Sequence, residues 1–237
     1  MTGTEVLGVL GGMGPMATVD FLRKLVEATP AARDQDHLGV MVAQAPGIPD
    51  RTQAILGLGP DPLPALTVAL RRLEAAGVTR IAIACNTAHH WHGALQALTG
   101  VPILHIVDAV AGALAMKGIA GGPIGLLATD GTLRAGIYPQ RLAAHGFTCR
   151  APEDQAAVMR AIRLVKAGDV GAARGLLQAQ AEALVASGCR QVVLACTEIP
   201  VALAGRVAAL RPMLLDATEA LARACVAAAA EPARRAA

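Results

Sequence analysis

The run Ile81-Ala-Ile-Ala-Cys85-Asn86-Thr87-Ala-His89 constrains the fold of this chain more than any other, because the chain repeats it as Gln191-Val-Val-Leu-Ala-Cys196-Thr197-Glu198-Ile199. Each copy is a short apolar, partly β-branched segment that ends in a cysteine followed at once by small hydroxyl or amide residues. Such a segment reads as a buried parallel strand, and the polar cluster as the strand's carboxyl end turning into a helix. The two thiols therefore take equivalent places. The repetition also extends to both sides. Val6-Leu-Gly8-Val-Leu-Gly-Gly-Met-Gly14-Pro15 has a partner in Pro123-Ile-Gly125-Leu-Leu-Ala-Thr-Asp-Gly131-Thr132, and Val101-Pro102-Ile-Leu-His-Ile-Val-Asp108-Ala pairs with Arg211-Pro212-Met-Leu-Leu-Asp216-Ala. Gly8 precedes Cys85 by 77 residues and Gly125 precedes Cys196 by 71; Pro102 and Pro212 follow their cysteines by 17 and 16. Three matches in one order argue for a tandem duplication of an α/β unit, which brings two equivalent strand ends face to face across one cleft.

The expected fold is α/β: two duplicated Rossmann-like halves, each with a four-stranded parallel sheet, related by a pseudo-twofold axis. In 237 residues this means two small domains, residues 1–107 with 216–237, and 108–215. The composition is 54% hydrophobic but only 2% aromatic, so the core is aliphatic. No apolar run reaches the ~18 residues of a membrane span, and no basic stretch leads into a signal-like segment, so a cytoplasmic protein without membrane partners is expected. The net charge of +3 is mixed along the chain, with no basic run carrying interleaved aromatics, which argues against nucleic acid. Cys85, Cys149, Cys189, Cys196 and Cys225 show no C-x-x-C spacing and read as thiols rather than disulfides or a zinc site.

In chain order, strands are expected at Glu5 to Leu10, Leu38 to Ala43, the Cys85 run, after Pro102, and at Ile124 to Ala128, Phe147 to Arg150, Gln191 to Ala195 and Met213 to Leu215. Helices are expected at Met16 to Ala28, Ala65 to Ala76, directly after Cys85, over Pro152 to Ser187 with a break at Gly168, and at Ala217 to Ala230; Glu231 to Ala237 reads as a frayed end. The turn Gly11-Gly-Met13-Gly14-Pro15 suits a tight bend with exposed N–H groups before a helix. Gly12-Met-Gly14-Pro-Met-Ala17 satisfies G-x-G-x-x-A, yet the second strand ends in Gln44-Ala-Pro and not in the acid that would hold a ribose. Ala45-Pro-Gly-Ile-Pro49-Asp50-Arg51-Thr52 is a loop stiff enough to aim one cation. His89, His90 and His92 stand at nearly successive helical positions that point in different directions, a poor ligand set for a metal, and His89 reads as a capping or supporting residue.

Cys149, Cys189 and Cys225 read as core residues, the usual place of a free cysteine. Cys85 and Cys196 differ, because at a strand-to-helix junction helix N–H groups and dipole lower a thiol pKa from roughly 8.5 toward neutrality. Two equivalent acid/base groups on opposite sides of one carbon are what stereoinversion needs, whereas a hydrolase or decarboxylase needs only one. The planar carbanion between the two steps calls for donors aimed at the developing charge, here the N–H groups after each cysteine with Asn86, Thr87, Thr132 and Thr197. Pyridoxal phosphate requires a Schiff-base lysine, but Lys24, Lys117 and Lys166 have no phosphate-binding motif nearby, so no cofactor is expected.

Gly11-Gly-Met-Gly-Pro15, Ile48-Pro-Asp-Arg51-Thr52, Ala84-Cys85-Asn86-Thr87-Ala88-His89, Ala128-Thr-Asp-Gly-Thr132 and Ala195-Cys196-Thr197-Glu198-Ile199 together resemble the cofactor-independent aspartate racemases of the aspartate/glutamate racemase superfamily. The resemblance covers essentially the whole chain. It implies a homodimer with the active site between the halves, Cys85 and Cys196 as the two bases, and Arg51 with Lys166 on the substrate's side-chain carboxylate. Asn86, Thr87, Thr132 and Thr197 would hold the α-carboxylate, with Met13 and Gly14 of the glycine turn also against the substrate. Glu198 would hold the substrate ammonium or assist Cys196; as a plain first-turn acid it would only meet the helix dipole. Glutamate racemases carry Asp-Ser in the first glycine motif and a histidine where Glu198 stands, departures that favour the aspartate branch. The alternatives are a broader-specificity amino-acid or hydantoin racemase, a one-cysteine decarboxylase or isomerase, and a non-catalytic amino-acid-binding protein.

Overall fold

The computed structural model describes residues 5–203 and 209–230. Among the described residues eight strands, β1 (Val6–Gly11), β2 (Gly39–Gln44), β3 (Arg80–Ile83), β4 (Ile103–Leu104), β5 (Gly122–Ala128), β6 (Phe147–Arg150), β7 (Val192–Ala195) and β8 (Leu214–Asp216), form two four-stranded sheets. The strand order is β2-β1-β3-β4 in one and β6-β5-β7-β8 in the other, and every pair is parallel. The two halves are therefore the same unit twice, as the repeated motifs require.

The register carries the duplication to single residues. Gly8 lies opposite Ile81, which lies opposite Ile103; Gly125 lies opposite Val192, which lies opposite Leu214. Cys85 and Cys196 are then true equivalents. The matched glycines have a shared cause: a Cβ at Gly8 would meet Val78 Cγ2 at 3.0 Å, and one at Gly125 would meet Leu184 Cδ1 at 2.8 Å. The same register corrects the sequence match after the fourth strands, where the counterpart of Asp216 is His105 and not Asp108. His105 Nδ1 accepts from the Val107 N–H at 3.1 Å, and Asp216 Oδ1 accepts from the Thr218 and Glu219 N–H groups at 2.8 and 3.1 Å. Both positions need only an acceptor for the free amides that open the next helix, so unlike side chains fill them.

Side chains alternate along each strand and divide the core into layers. Leu7, Val9, Ala82, Ala84, Ile124, Leu126, Ala128, Val193 and Ala195 face one central cluster shared by both halves, into which the helices Pro15–Ala28, Ile106–Met116 and Ala217–Ala230 also pack. The opposite faces carry Leu10, Ile81, Ile83 and Cys85 in one outer cluster and Leu127, Val192, Leu194 and Cys196 in the other. Both cysteines thus have the same phase, one residue or two past the end of their strands.

The expected helices are present with shifted bounds, Leu63–Ala75 standing for the second. The insert divides into Gln155–Lys166 and Val170–Ala186 at Gly168, whose φ of +91° favours glycine. One expectation is corrected: Cys85 leads not into an α-helix but into a 3-10 turn, Thr87–Trp91, before the short helix His92–Ala97. The frayed end expected at Glu231 to Ala237 lies outside the described residues. No helix among the described residues is long and apolar enough to cross a membrane.

A buried ion cluster joins the halves. Lys24, on the first helix, lies 2.5 Å from Asp20 Oδ2 and 2.6 Å from Asp216 Oδ2 at the end of β8. Burial raises the Asp216 carboxyl, and the Lys24 charge opposes that shift. Replacement Lys24→Met leaves two buried carboxylates facing each other, and urea unfolding should show a loss of roughly 3–5 kcal/mol. A loss below about 1 kcal/mol would mean that this cluster is dispensable.

Candidate active site

The carboxyl ends of β1, β3, β5 and β7 converge on one cleft of about 330 Å³, part of it open to solvent, at the edge where open parallel sheets bind ligands. From the first half it is lined by Met13 of the glycine turn, by Asp50, Arg51 and Thr52, and by Cys85, Asn86 and Thr87. The second half contributes Thr129, Lys166, Cys196, Thr197 and Glu198. Gly14 sits at its edge, where a Cβ would lie 3.4 Å from Glu198 Oε1 and 3.7 Å from Lys166 Nζ.

On the second side the polar groups form a chain. Cys196 Sγ donates to Glu198 Oε2 at 3.0 Å, Thr197 Oγ1 donates to the same oxygen at 3.1 Å, and Lys166 Nζ pairs with Glu198 Oε1. This corrects the expectation of a lowered thiol. Burial pushes Cys196 well above the usual thiol range, and the adjacent Glu198 charge and hydrogen bond push the same way. The Glu198 backbone N–H and Lys166 oppose the shift and are outweighed. That desolvation outweighs the N–H groups that open the helix at Glu198. For Lys166, burial favours the neutral amine, but the Glu198 charge and hydrogen bond prevail and hold the ammonium above its usual pKa. Lys166 thus already holds a carboxylate, that of Glu198.

Arg51 differs. Its Nη1 donates to the carbonyls of Ile48 and Pro49 at 3.1 and 2.9 Å, and its Nη2 to the Met13 carbonyl at 3.1 Å. Among the described residues it forms no ion pair, and its buried Nε has no hydrogen-bond partner. The proline-framed loop thus fixes a guanidinium whose charge no carboxylate neutralises. Asp50, its neighbour, is occupied in capping the helix Arg51–Ile55 through the Gln53 N–H at 2.8 Å.

Where the halves meet, Thr87, Thr129 and Thr132 form a triangle of hydroxyls 2.9 Å apart. Thr129 caps the helix Asp130–Ala135, accepting from the Thr132 N–H at 3.1 Å. Thr132 therefore supports the triangle from behind, and the threonine that lines the cleft is Thr129. The sequence reading passed over Thr129, although a threonine directly after an apolar strand and three residues before Thr132 has N-cap spacing. Thr52 and Asp50 were missed for lack of a local signal, since only the approach of the halves brings them in; a Cβ at Gly131 would lie 2.8 Å from Thr52 Cα.

Behind Cys85, His89 Nδ1 bonds to the Cys85 carbonyl at 2.8 Å while its Nε2 accepts from the Ile106 N–H at 3.1 Å. Those partners define a neutral imidazole with its proton on Nδ1. It ties the residue carrying the thiol to the start of the helix Ile106–Met116. Burial lowers His89 to about 4, and burial together with the neighbouring His89 lowers His105 to about 2. No group of three or more His, Cys, Asp or Glu among the described residues could hold a metal ion. Because His89 titrates near 6.5 when unfolded and about 4 when folded, the unfolded chain binds more protons between those values. Stability should therefore fall as the pH drops from about 6.5 toward 4, by on the order of 3 kcal/mol from His89. Denaturant unfolding across that window should show a shallower slope for His89→Gln; equal slopes would detach His89 from the effect.

Residues 10–225 match the model of the Asp/Glu/Hydantoin racemase family. An aspartate racemase from Picrophilus torridus of known structure superposes with a TM-score of 0.85 at 33% identity, over 95% of this chain and 94% of that one. A broad specificity amino-acid racemase from Bacillus subtilis is 30% identical over 151 residues, 60% of this chain and 62% of that one. A glutamate racemase from Deinococcus radiodurans is 34% identical over 135 residues, 56% of this chain and 46% of that one, so the match spans less than two thirds of either of these two relatives. Built from one α/β unit used twice and matched along nearly all of its length, the chain belongs to the Asp/Glu/hydantoin racemase family.

Proposed function

We propose that the protein interconverts L- and D-aspartate without a cofactor, by proton transfer between the α-carbon and two thiols, those of Cys85 and Cys196. The observation that carries this reading is that two cysteines at matched strand ends line one cleft. One thiolate takes the α-proton from one face, and the other thiol returns a proton to the opposite face of the planar carbanion, so that the thiols exchange protonation states in each turnover. Cys196 rests protonated, ready to act as the acid. To act as the base it must first lose that proton, and Glu198 Oε2 at 3.0 Å is the acceptor at hand.

The charges of the cleft favour a dicarboxylic amino acid. Lys166 is paired with Glu198 and Asp50 caps its own helix, which leaves the Arg51 guanidinium as the charge that a distal carboxylate would meet. The side-chain carboxylate would take the open donors of Arg51 and share Lys166, leaving Glu198 to receive the substrate ammonium in exchange. Asn86, the hydroxyls of Thr87, Thr129 and Thr197, and the Met13–Gly14 turn would meet the α-carboxylate, with Thr132 steadying the triangle. Glutamate is the second reading, favoured by the glutamate racemase relative; one extra methylene changes discrimination by only ~1–3 kcal/mol. A cytoplasmic homodimer belongs to the same proposal, supported by five unpaired cysteines and by Met41 and Val42 standing exposed on the outer strand β2.

Incubation of the purified chain with L-aspartate in D2O, without pyridoxal phosphate or metal, should yield α-deuterated aspartate and D-aspartate. Cys85→Ser and Cys196→Ser should each lower racemisation at least about a hundredfold and keep the fold; full activity in either would end the two-base reading. Arg51→Ala should raise the KM for aspartate about 10- to 100-fold and change it little for a substrate without the distal carboxylate. Equal losses for both would remove Arg51 from that role.

A further inference from the structure

The chain contains a single tyrosine and a single asparagine, and the two are hydrogen-bonded to each other. Tyr138 stands on the helix Ile137–Leu142 of the second half, and Asn86 follows Cys85 in the first. The phenol is 0% exposed, inside the cluster shared by both sheets, and donates to Asn86 Oδ1 at 2.6 Å. We propose that Tyr138 is a positioning residue for the reaction: it fixes the Asn86 amide so that its NH2 end is presented to an oxygen of the bound substrate. This rests on the racemase reading of the cleft.

The two ends of a carboxamide are nearly isosteric, so an asparagine beside a cleft offers an acceptor or a pair of donors according to which way it is turned. A phenol that donates to Oδ1 removes the choice. Nδ2 then lies on the side away from Tyr138, and in this structure it is buried without a partner among the described residues. A buried NH2 group with no acceptor is uncommon, and its residue lines the cleft next to Cys85. What completes it is a ligand oxygen, and a carboxylate supplies one. Burial holds the phenol well above its usual pKa, so Tyr138 is a protonated donor through the neutral range. The catalytic consequence follows from the charge. As the α-proton leaves, negative charge moves onto the α-carboxylate oxygens, and a bond from Nδ2 strengthens in the transition state. Misorientation should therefore lower kcat more than it raises KM.

Because each residue is unique, selective labelling reads the contact directly in the full chain. With 15N-asparagine the protein gives one side-chain NH2 pair, which should shift in Tyr138→Phe and, in the wild type, on adding aspartate. In the racemisation assay Y138F should lose at least about tenfold in kcat, with KM within about threefold and the melting temperature nearly unchanged. The double variant with Asn86→Ala should be no slower than Asn86→Ala alone. Wild-type amide positions or wild-type kcat in Y138F would overturn the proposal. Should Y138F not fold, the 13Cζ signal of Tyr138 in Asn86→Ala decides: displacement upholds the contact and an unchanged signal overturns it. A wild type that turns over no amino acid would end the racemase reading instead, and the amide signal by itself would then decide whether Tyr138 orients Asn86.

Discussion

Parallel strand pairing, repeated in the same register in both halves, is the constraint on which the rest depends. It aligns the carboxyl ends of β1, β3, β5 and β7, and the alternation of side chains along those strands gives Cys85 and Cys196 the same phase. A shift of one residue in either sheet would turn its thiol toward the central apolar cluster. The matched glycines at Gly8 and Gly125 protect that register, since each lets the side chain packed over the strand approach to a distance at which a Cβ would be crowded.

Within that frame, the cleft is governed by desolvation and its compensation. Its buried groups lose water, and partners inside the cleft restore them. Lys166 and Glu198 hold each other, Arg51 is held by three carbonyls, and Cys196 remains a thiol because burial and then the adjacent carboxylate disfavour the thiolate. The two matched cysteines are thus equivalent in backbone position and unlike in surroundings. The Cys85 side is built on a neutral histidine behind the backbone, whereas the Cys196 side is built on a charged pair. Inversion at one carbon needs a base on one face and an acid on the other, so two such groups rest in opposite protonation states.

Much of this was legible in the residues. The repeated runs read as strands because short β-branched apolar segments closed by polar junctions leave few alternatives, and the break at Gly168 followed from equally local chemistry. Contacts between the halves were not legible. Thr129 reaches the cleft, and Thr132 stays behind it, only because a helix cap and a hydroxyl from the other half meet at that corner. The Asn86–Tyr138 bond joins residues 52 apart in sequence. The thiol shift was misread because a local rule, that helix N–H groups lower a cysteine, takes no account of how dry the site becomes when two halves close over it.

By itself, the sequence determined that one α/β unit is used twice and that two cysteines stand at equivalent strand ends, because periodicity and residue type act over a few neighbouring positions. Only the tertiary structure decided which threonine lines the cleft, that Lys166 is already paired while Arg51 is not, and that the thiol of Cys196 is held protonated. Those outcomes depend on burial and on partners brought from the other half, and both arise only when distant segments pack and exclude water.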